Sequence, residues 1–179
     1  TAVNQSTSTL TATDGILEIF APASATRNMR IYERAIPSTP YTLEAAFTLL
    51  NKRDNYMEAG IGVKDTGNGK SVAIRIDEDN TVDANQNLVV ATTKYTNATT
   101  VSANYTQLNL VQSGMLWLRI TDNGTNLAFY YSTTGVAWRQ IGSAVSRTDF
   151  LTSPTNVFVF LGPLMNEVAY MHVIHWKAE

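Results

Sequence analysis

Cysteine is absent from this chain of 179 residues. Disulfides, thiolate metal sites and a cysteine nucleophile are thereby excluded. Charge is scarce as well: charged residues make up 16% of the sequence, against about 25% in an average domain. The two signs nearly cancel, at a net charge of −2, so the chain carries no basic footprint for nucleic acid. No apolar run approaches the ~18 residues of a membrane-crossing helix, and membrane insertion is not expected. Helix signals are missing too. Gly, Pro, Asn and Asp interrupt the apolar runs before they reach helical length. The weak exceptions are "AVSRTDFL", with room for one helical turn, and "YTLEAAF", where alternation argues for strand.

What remains is a β pattern. Hydrophobic residues form 44% of the chain, enough for one sizeable core. Thr, Asn, Ser and Gln supply the polarity that charge does not. The opening residues 1–9 (TAVNQSTST) read as a polar lead-in or linker, and 10–179 as a single domain. Thr1 stands where a methionine would open a nascent chain, as in a processed product or one domain of a longer chain. "LTATDGILEIF" places Asp14-Gly15 between two β-like runs, a hairpin signal. In "YTLEAAFTLL", Tyr41, Leu43, Ala45, Phe47 and Leu49 alternate with Thr42, Glu44, Ala46 and Thr48, the period of a half-buried strand. "YMEAGIGVKD" and "KSVAIRIDED" flank the turn "DTGNG". Residues 80–106 predict two irregular strands with loops. Many short strands with regular turn signals predict an all-β, two-sheet antiparallel sandwich. Inward positions should include Leu43, Phe47, Ile74, Ile76, Leu118, Ile120, Phe129, Trp138, Val159 and Ile174.

The most informative stretch is "LWLRITDNGTNLAFYYSTTGVAWRQIG", Leu116 to Gly142. Leu116, Leu118 and Ile120 share one face, and Trp117 and Arg119 the other. Asp122-Asn123-Gly124 supplies a tight turn, and Leu127, Phe129 and Tyr131 alternate on the return. "VAWRQIG" reads as a third strand. Trp117-Leu118-Arg119-Ile120, Asn123-Gly124, Phe129-Tyr130-Tyr131-Ser132, Gly135, Trp138 and Ile141-Gly142 resemble the concanavalin A-like lectin/glucanase domains. The resemblance extends to the laminin-G-like and DUF1349-type sandwiches found beside glycosidases and in bacteriophage virion proteins. It implies a jelly roll with one concave face. The close "VFVFLGP…YMHVIHWKAE" looks like the paired final strands of that fold, the last returning beside the first.

Catalysis is not expected. Glycosidases on this fold carry carboxylates clustered on one strand, and retention needs a pair ~5–5.5 Å apart. Here Glu44, Glu58 and Glu167 are each alone on their strands. The acidic run from Asp77 to Asp83 contains oxygen donors for calcium at Asp77, Asp79, Asp83, Asn85 and Asn87. It lacks the glycine and closing glutamate of an EF-hand, so a solvated loop is expected and no metal or other cofactor. His172 and His175, three apart on a strand, should point to opposite faces and share no metal.

The remaining candidate is a binding face. Sugars stack their C–H faces on rings while polar groups hold the hydroxyls. Glu44, Arg75, Arg119 and Tyr130 all lie on the polar sides of their strands, with Trp117 and Tyr56 nearby. Tyr130 would be the ring platform. The alternative is structural: Trp117 fills the sandwich edge, and Tyr130 and Arg119 are a cross-strand pair. Composition and resemblance together suggest a non-catalytic surface domain of a bacteriophage virion. Its partners would be a cell-surface glycan or polysaccharide and other virion proteins, and it would be a homo-oligomer at the virion surface or in the extracellular space. A carbohydrate-binding module of a secreted bacterial glycosidase is the second reading. A glycoside hydrolase or lyase is the third.

Overall fold

Alternation of side chains on successive residues shapes the molecule. The computed structural model describes residues 1–49, 57–78, 88–110, 115–164 and 168–179, and these contain strands, turns and bends but no helix. In chain order the strands are β1 (Ala2–Val3), β2 (Thr9–Thr13), β3 (Ile16–Ala21), β4 (Arg30–Ala35) and β5 (Tyr41–Leu49). Then come β6 (Glu58–Lys64), β7 (Ser71–Glu78), β8 (Leu88–Asn97), β9 (Thr100–Leu110) and β10 (Leu116–Asp122). The last are β11 (Asn126–Ser132), β12 (Arg139–Gln140), β13 (Val145–Ser146), β14 (Asn156–Gly162) and β15 (Ala169–Ala178). They form two antiparallel sheets. One has seven strands in the order β1-β4-β14-β6-β7-β8-β9. The other has eight, in the order β12-β11-β10-β5-β15-β3-β2, with β13 also paired to β11.

The turns form where the sequence permits them. Asp14 (φ 52°) and Gly15 (φ 78°) adopt the left-handed pair that joins β2 to β3 in a two-residue hairpin. Near the start of the chain, Ala2 and Val3 pair with Tyr32 and Ile31 on β4. Residues 88–110 form the long β8–β9 pair, with shifts of register at three places. "AVSRTDFL" holds the short strand β13 and turns rather than a helical turn, and the expected strand "VAWRQIG" shrinks to Arg139–Gln140.

The core lies between the sheets. Leu43, Ala45 and Phe47 of β5, Leu118 and Ile120 of β10, and Phe129 of β11 face Ile61, Val63, Ile74, Ile76 and Val159 of the opposite sheet, all buried. Each fully buried large apolar side chain contributes ~1.5–3 kcal/mol. Two expected core residues are elsewhere. Trp138 is only half-buried and lies over the Arg119 guanidinium, because the segment around β12 is too short to carry strand alternation. Ile174 is exposed, because a bulge between Val173 and His175 inserts one extra residue and throws it out of the ladder. The final strands are not paired: β14 lies in the seven-stranded sheet, and β15 sits between β5 and β3 in the other.

The middle strands of the seven-stranded sheet, β14, β6 and β7, are buried on both faces. Met29, Ile31, Ala73, Tyr95, Phe158 and Phe160 form a second apolar cluster on its outer side, with Val3, Ala98 and Val101 packed against it. Glycine makes room for the rings. A Cβ at Gly62 would stand 2.3 Å from the Phe158 ring, and one at Gly60 would stand 2.2 Å from the Ile74 carbonyl oxygen and 3.0 Å from Phe160. The alternate glycines of "AGIGV" and the unbroken apolar run "VFVFLG" are thus two halves of one packing solution.

Candidate functional site

Cross-strand register decides which side chains share a face. Arg119 on β10 stands opposite Tyr130 on β11 and opposite Glu44 on β5, and Glu44 in turn faces Lys177 on β15. All four point away from the core, so one row of polar groups crosses four strands of the eight-stranded sheet. The Arg119 guanidinium donates from Nε to Glu44 Oε1 at 2.8 Å, and Nη2 lies 2.6 Å from the same oxygen. Its flat side rests 3.7 Å from the centre of the Trp138 ring, a cation–π contact. Arg119 and Glu44 remain partly open to solvent, with side-chain exposures of 27% and 19%. The ion pair fixes the guanidinium, and the guanidinium fixes the indole.

The adjacent row carries Trp117 and His175, whose rings tilt together at 5.3 Å. Gly135 (φ 77°) lets the turn after β11 press on Trp117; a Cβ there would come within 2.7 Å of the indole. The bulge in β15 also overturns the expectation for the histidines. With Ile174 extruded, His175 pairs with Ala46 and His172 with Thr48, so both project from the outer face. His172 Nε2 lies 3.0 Å from Glu18 Oε2. These two side chains, with Thr11, Thr13, Asp14 and Ile16, line a hollow of about 230 Å³ near the β2 edge. Among the described residues no group of three His, Asp or Glu is placed to hold a metal.

Arg75 is not part of this face. It belongs to β7 in the seven-stranded sheet, where its side chain is 5% exposed. Nη1 lies 3.4 Å from Glu58 Oε2 and contacts Asp77 Oδ2, while Nε donates to Thr93 Oγ1 at 2.9 Å. Burial opposes the Arg75 charge, but Tyr95, Glu58 and Asp77 outweigh it and hold the pKa above its usual value. Tyr95 donates its hydroxyl to Glu58 Oε2 at 2.9 Å, and Arg27 donates Nε to Glu58 Oε1 at 2.8 Å. Burial, reinforced by the Glu58 carboxylate, pushes the Tyr95 hydroxyl well above its ordinary range. Glu58 is the one carboxylate on β6, but Asp77 on β7 stands directly opposite it, and Arg75 ties the two together. Two carboxylates locked by one buried guanidinium are held as a structural ion cluster. Tyr56, Asp79, Asp83, Asn85, Asn87 and Glu167 lie outside the described residues.

Of the four candidates read from sequence, the fold thus brings together Glu44, Arg119 and Tyr130 and separates Arg75. It adds Trp138, Lys177, Trp117 and His175. Trp117 was legible from the alternation that puts it on the Arg119 face, whereas Trp138 was expected in the core, and Lys177 and His175 carried no signal.

No family model matches this chain, and neither does any curated protein. Solved structures share its fold. A variant of the GH43 protein BlXynB from Bacillus licheniformis is 14% identical with TM-score 0.67, over 91% of this chain and 32% of that one. The chain therefore spans about a third of that protein. The legume lectin-like domain from Entamoeba histolytica is 11% identical with TM-score 0.63, over 96% of this chain and 87% of that one. The CBM2 module of the evolved Dit of Lactobacillus casei BL23 phage J-1 is 14% identical with TM-score 0.59, over 92% and 78%. The fold is the concanavalin A-like β-sandwich.

Proposed function

We propose that this is a non-catalytic glycan-binding domain whose binding face is the outer side of the eight-stranded sheet. The observation that carries the proposal is the Trp138–Arg119–Glu44 stack. It presents a half-buried indole held rigid by a cation, with carboxylate and guanidinium edges beside it for sugar hydroxyls. Tyr130, Lys177 and the Glu18–His172 hollow extend the face along the sheet. Over the middle strands of the other sheet, the protein's own rings and the Glu58–Arg75–Asp77 cluster occupy the outer face. The lectin-like and CBM2 structures of similar fold agree with a binding role.

The setting we propose is a surface assembly such as a phage virion, in which many copies act together. Single sites of this shallow kind bind at about millimolar strength, near −4 kcal/mol, and multivalent display raises the avidity by ~10²–10⁴. The second reading is an accessory module of a larger bacterial glycosidase. It is favoured by the way this sandwich matches only a third of the GH43 protein. The test is a glycan array probed with a multimeric display of the wild type, Trp138→Ala and Arg119→Ala. Wild-type binding to a glycan class, lost in both folded variants, is expected. Undiminished binding by both would move the site off this face.

A further inference from the structure

Three strands of the seven-stranded sheet bring a lysine, an asparagine and a glutamate together. Lys64 on β6 and Asn156 on β14 are direct cross-strand partners, and Glu33 lies on β4, the next strand over. Directly opposed side chains start with Cβ atoms about 4.5–5.5 Å apart, within reach of a lysine. Lys64 Nζ donates to Glu33 Oε2 at 2.7 Å, and Asn156 Nδ2 donates to Glu33 Oε1 at 3.0 Å. One carboxylate therefore holds the amine and the amide side by side. The site is largely shielded: the Lys64 and Glu33 side chains are 12% and 7% exposed, and Glu33 pairs across the ladder with the fully buried Phe158.

We propose that Lys64 and Asn156 form an intramolecular isopeptide bond, with Glu33 as the proton carrier. Glu33 Oε2 takes a proton from the Lys64 ammonium. The neutral amine attacks Asn156 Cγ, so that the Nζ–Cγ bond forms. Glu33 delivers its proton to Nδ2, the atom its other oxygen already touches, and the Cγ–Nδ2 bond breaks with loss of ammonia. The surplus proton on the new amide nitrogen returns to the carboxylate and departs with the ammonia as ammonium. Glu33 ends unchanged. No oxidant or cofactor takes part, and the Glu33 carboxylate already touches both the nitrogen that attacks and the nitrogen that leaves. In a chain without cysteine, such a bond is a covalent staple that needs no redox chemistry. It would tie β6 to β14 where Lys64 ends one strand and Asn156 begins the other.

The test is the intact mass of the purified full chain, followed by peptide mapping. The wild type should weigh one ammonia less than its sequence and yield a branched peptide joining Lys64 to Asn156. Glu33→Ala and Lys64→Arg should restore the full sequence mass. Asn156→Asp should form the same bond by losing water, and so reach the wild-type product mass. A wild type at its full sequence mass overturns the proposal. So does an ammonia loss that maps to Asn68-Gly69 or Asn123-Gly124, where succinimides would account for it. The wild-type measurement decides the matter whether or not each variant folds.

Discussion

Arg75 and Arg119 occupy equivalent places in their strands, yet their removal should cost very different amounts. Arg75 is 5% exposed and holds Glu58 and Asp77, which are 1% and 2% exposed. Substituting methionine keeps most of the volume but strips a buried carboxylate pair of its shared cation. Breaking a buried pair from one side costs about 3–5 kcal/mol. Arg119 is 27% exposed and Glu44 is 19% exposed, so solvent screens their attraction. Arg119→Met should cost ~0.2–1 kcal/mol for the ion pair. The lost stacking on Trp138 adds roughly 0.5–1 kcal/mol. A domain's total stability is about 5–15 kcal/mol, so the first substitution threatens the fold and the second does not. Urea unfolding followed by circular dichroism reads both. The expected outcome for Arg75→Met is a large fall in midpoint with little change in slope, and a melting temperature lower by roughly 6–20 °C. If Arg75→Met costs no more than Arg119→Met, the argument from burial is wrong, and Arg75 is a solvated group as its strand pattern suggested.

Leu118→Ala should destabilise the domain by ~2–5 kcal/mol, since Leu118 is fully buried between β5 and β11; urea midpoints read the loss. Asp65 gives a pH dependence. Backbone N–H groups, that of Ser153 first and then those of Gly67, Thr152 and Asn68, hold its carboxyl below the usual range. Its contribution is therefore complete above the unfolded value near pH 4 and is lost as pH falls through the lower folded value. Acid titration of stability should show a decline below about pH 4 that is smaller in Asp65→Asn.

Alternation made the eight-stranded sheet legible. Leu43, Phe47, Leu118, Ile120 and Phe129 face inward where the period of two puts them. Glu44, Arg119 and Tyr130 obey the same period, which places them outward, and the register aligns them. The same rule failed for Arg75 because it assumes one wet face. β6 and β14 carry the contrary signal, with glycine or aromatic residues where a wet face would be polar, and that signal belongs to a sheet covered on both sides. Ile174 and His175 were misplaced for a different reason. A bulge changes the parity of every later residue in its strand, and nothing in "YMHVIHWK" marks it. Trp138 lies beside a strand of two residues, where periodicity has no meaning.

The proposed binding face is the outer side of the eight-stranded sheet. Backbone and indole NMR shifts, followed while titrating the glycan class selected on the array, test it most directly. The account predicts shifts concentrated at Trp138, Arg119, Tyr130 and Glu44 and their neighbours on β5, β10 and β11. Shifts confined to β6, β7 and β14, with Trp138 unmoved, would contradict it.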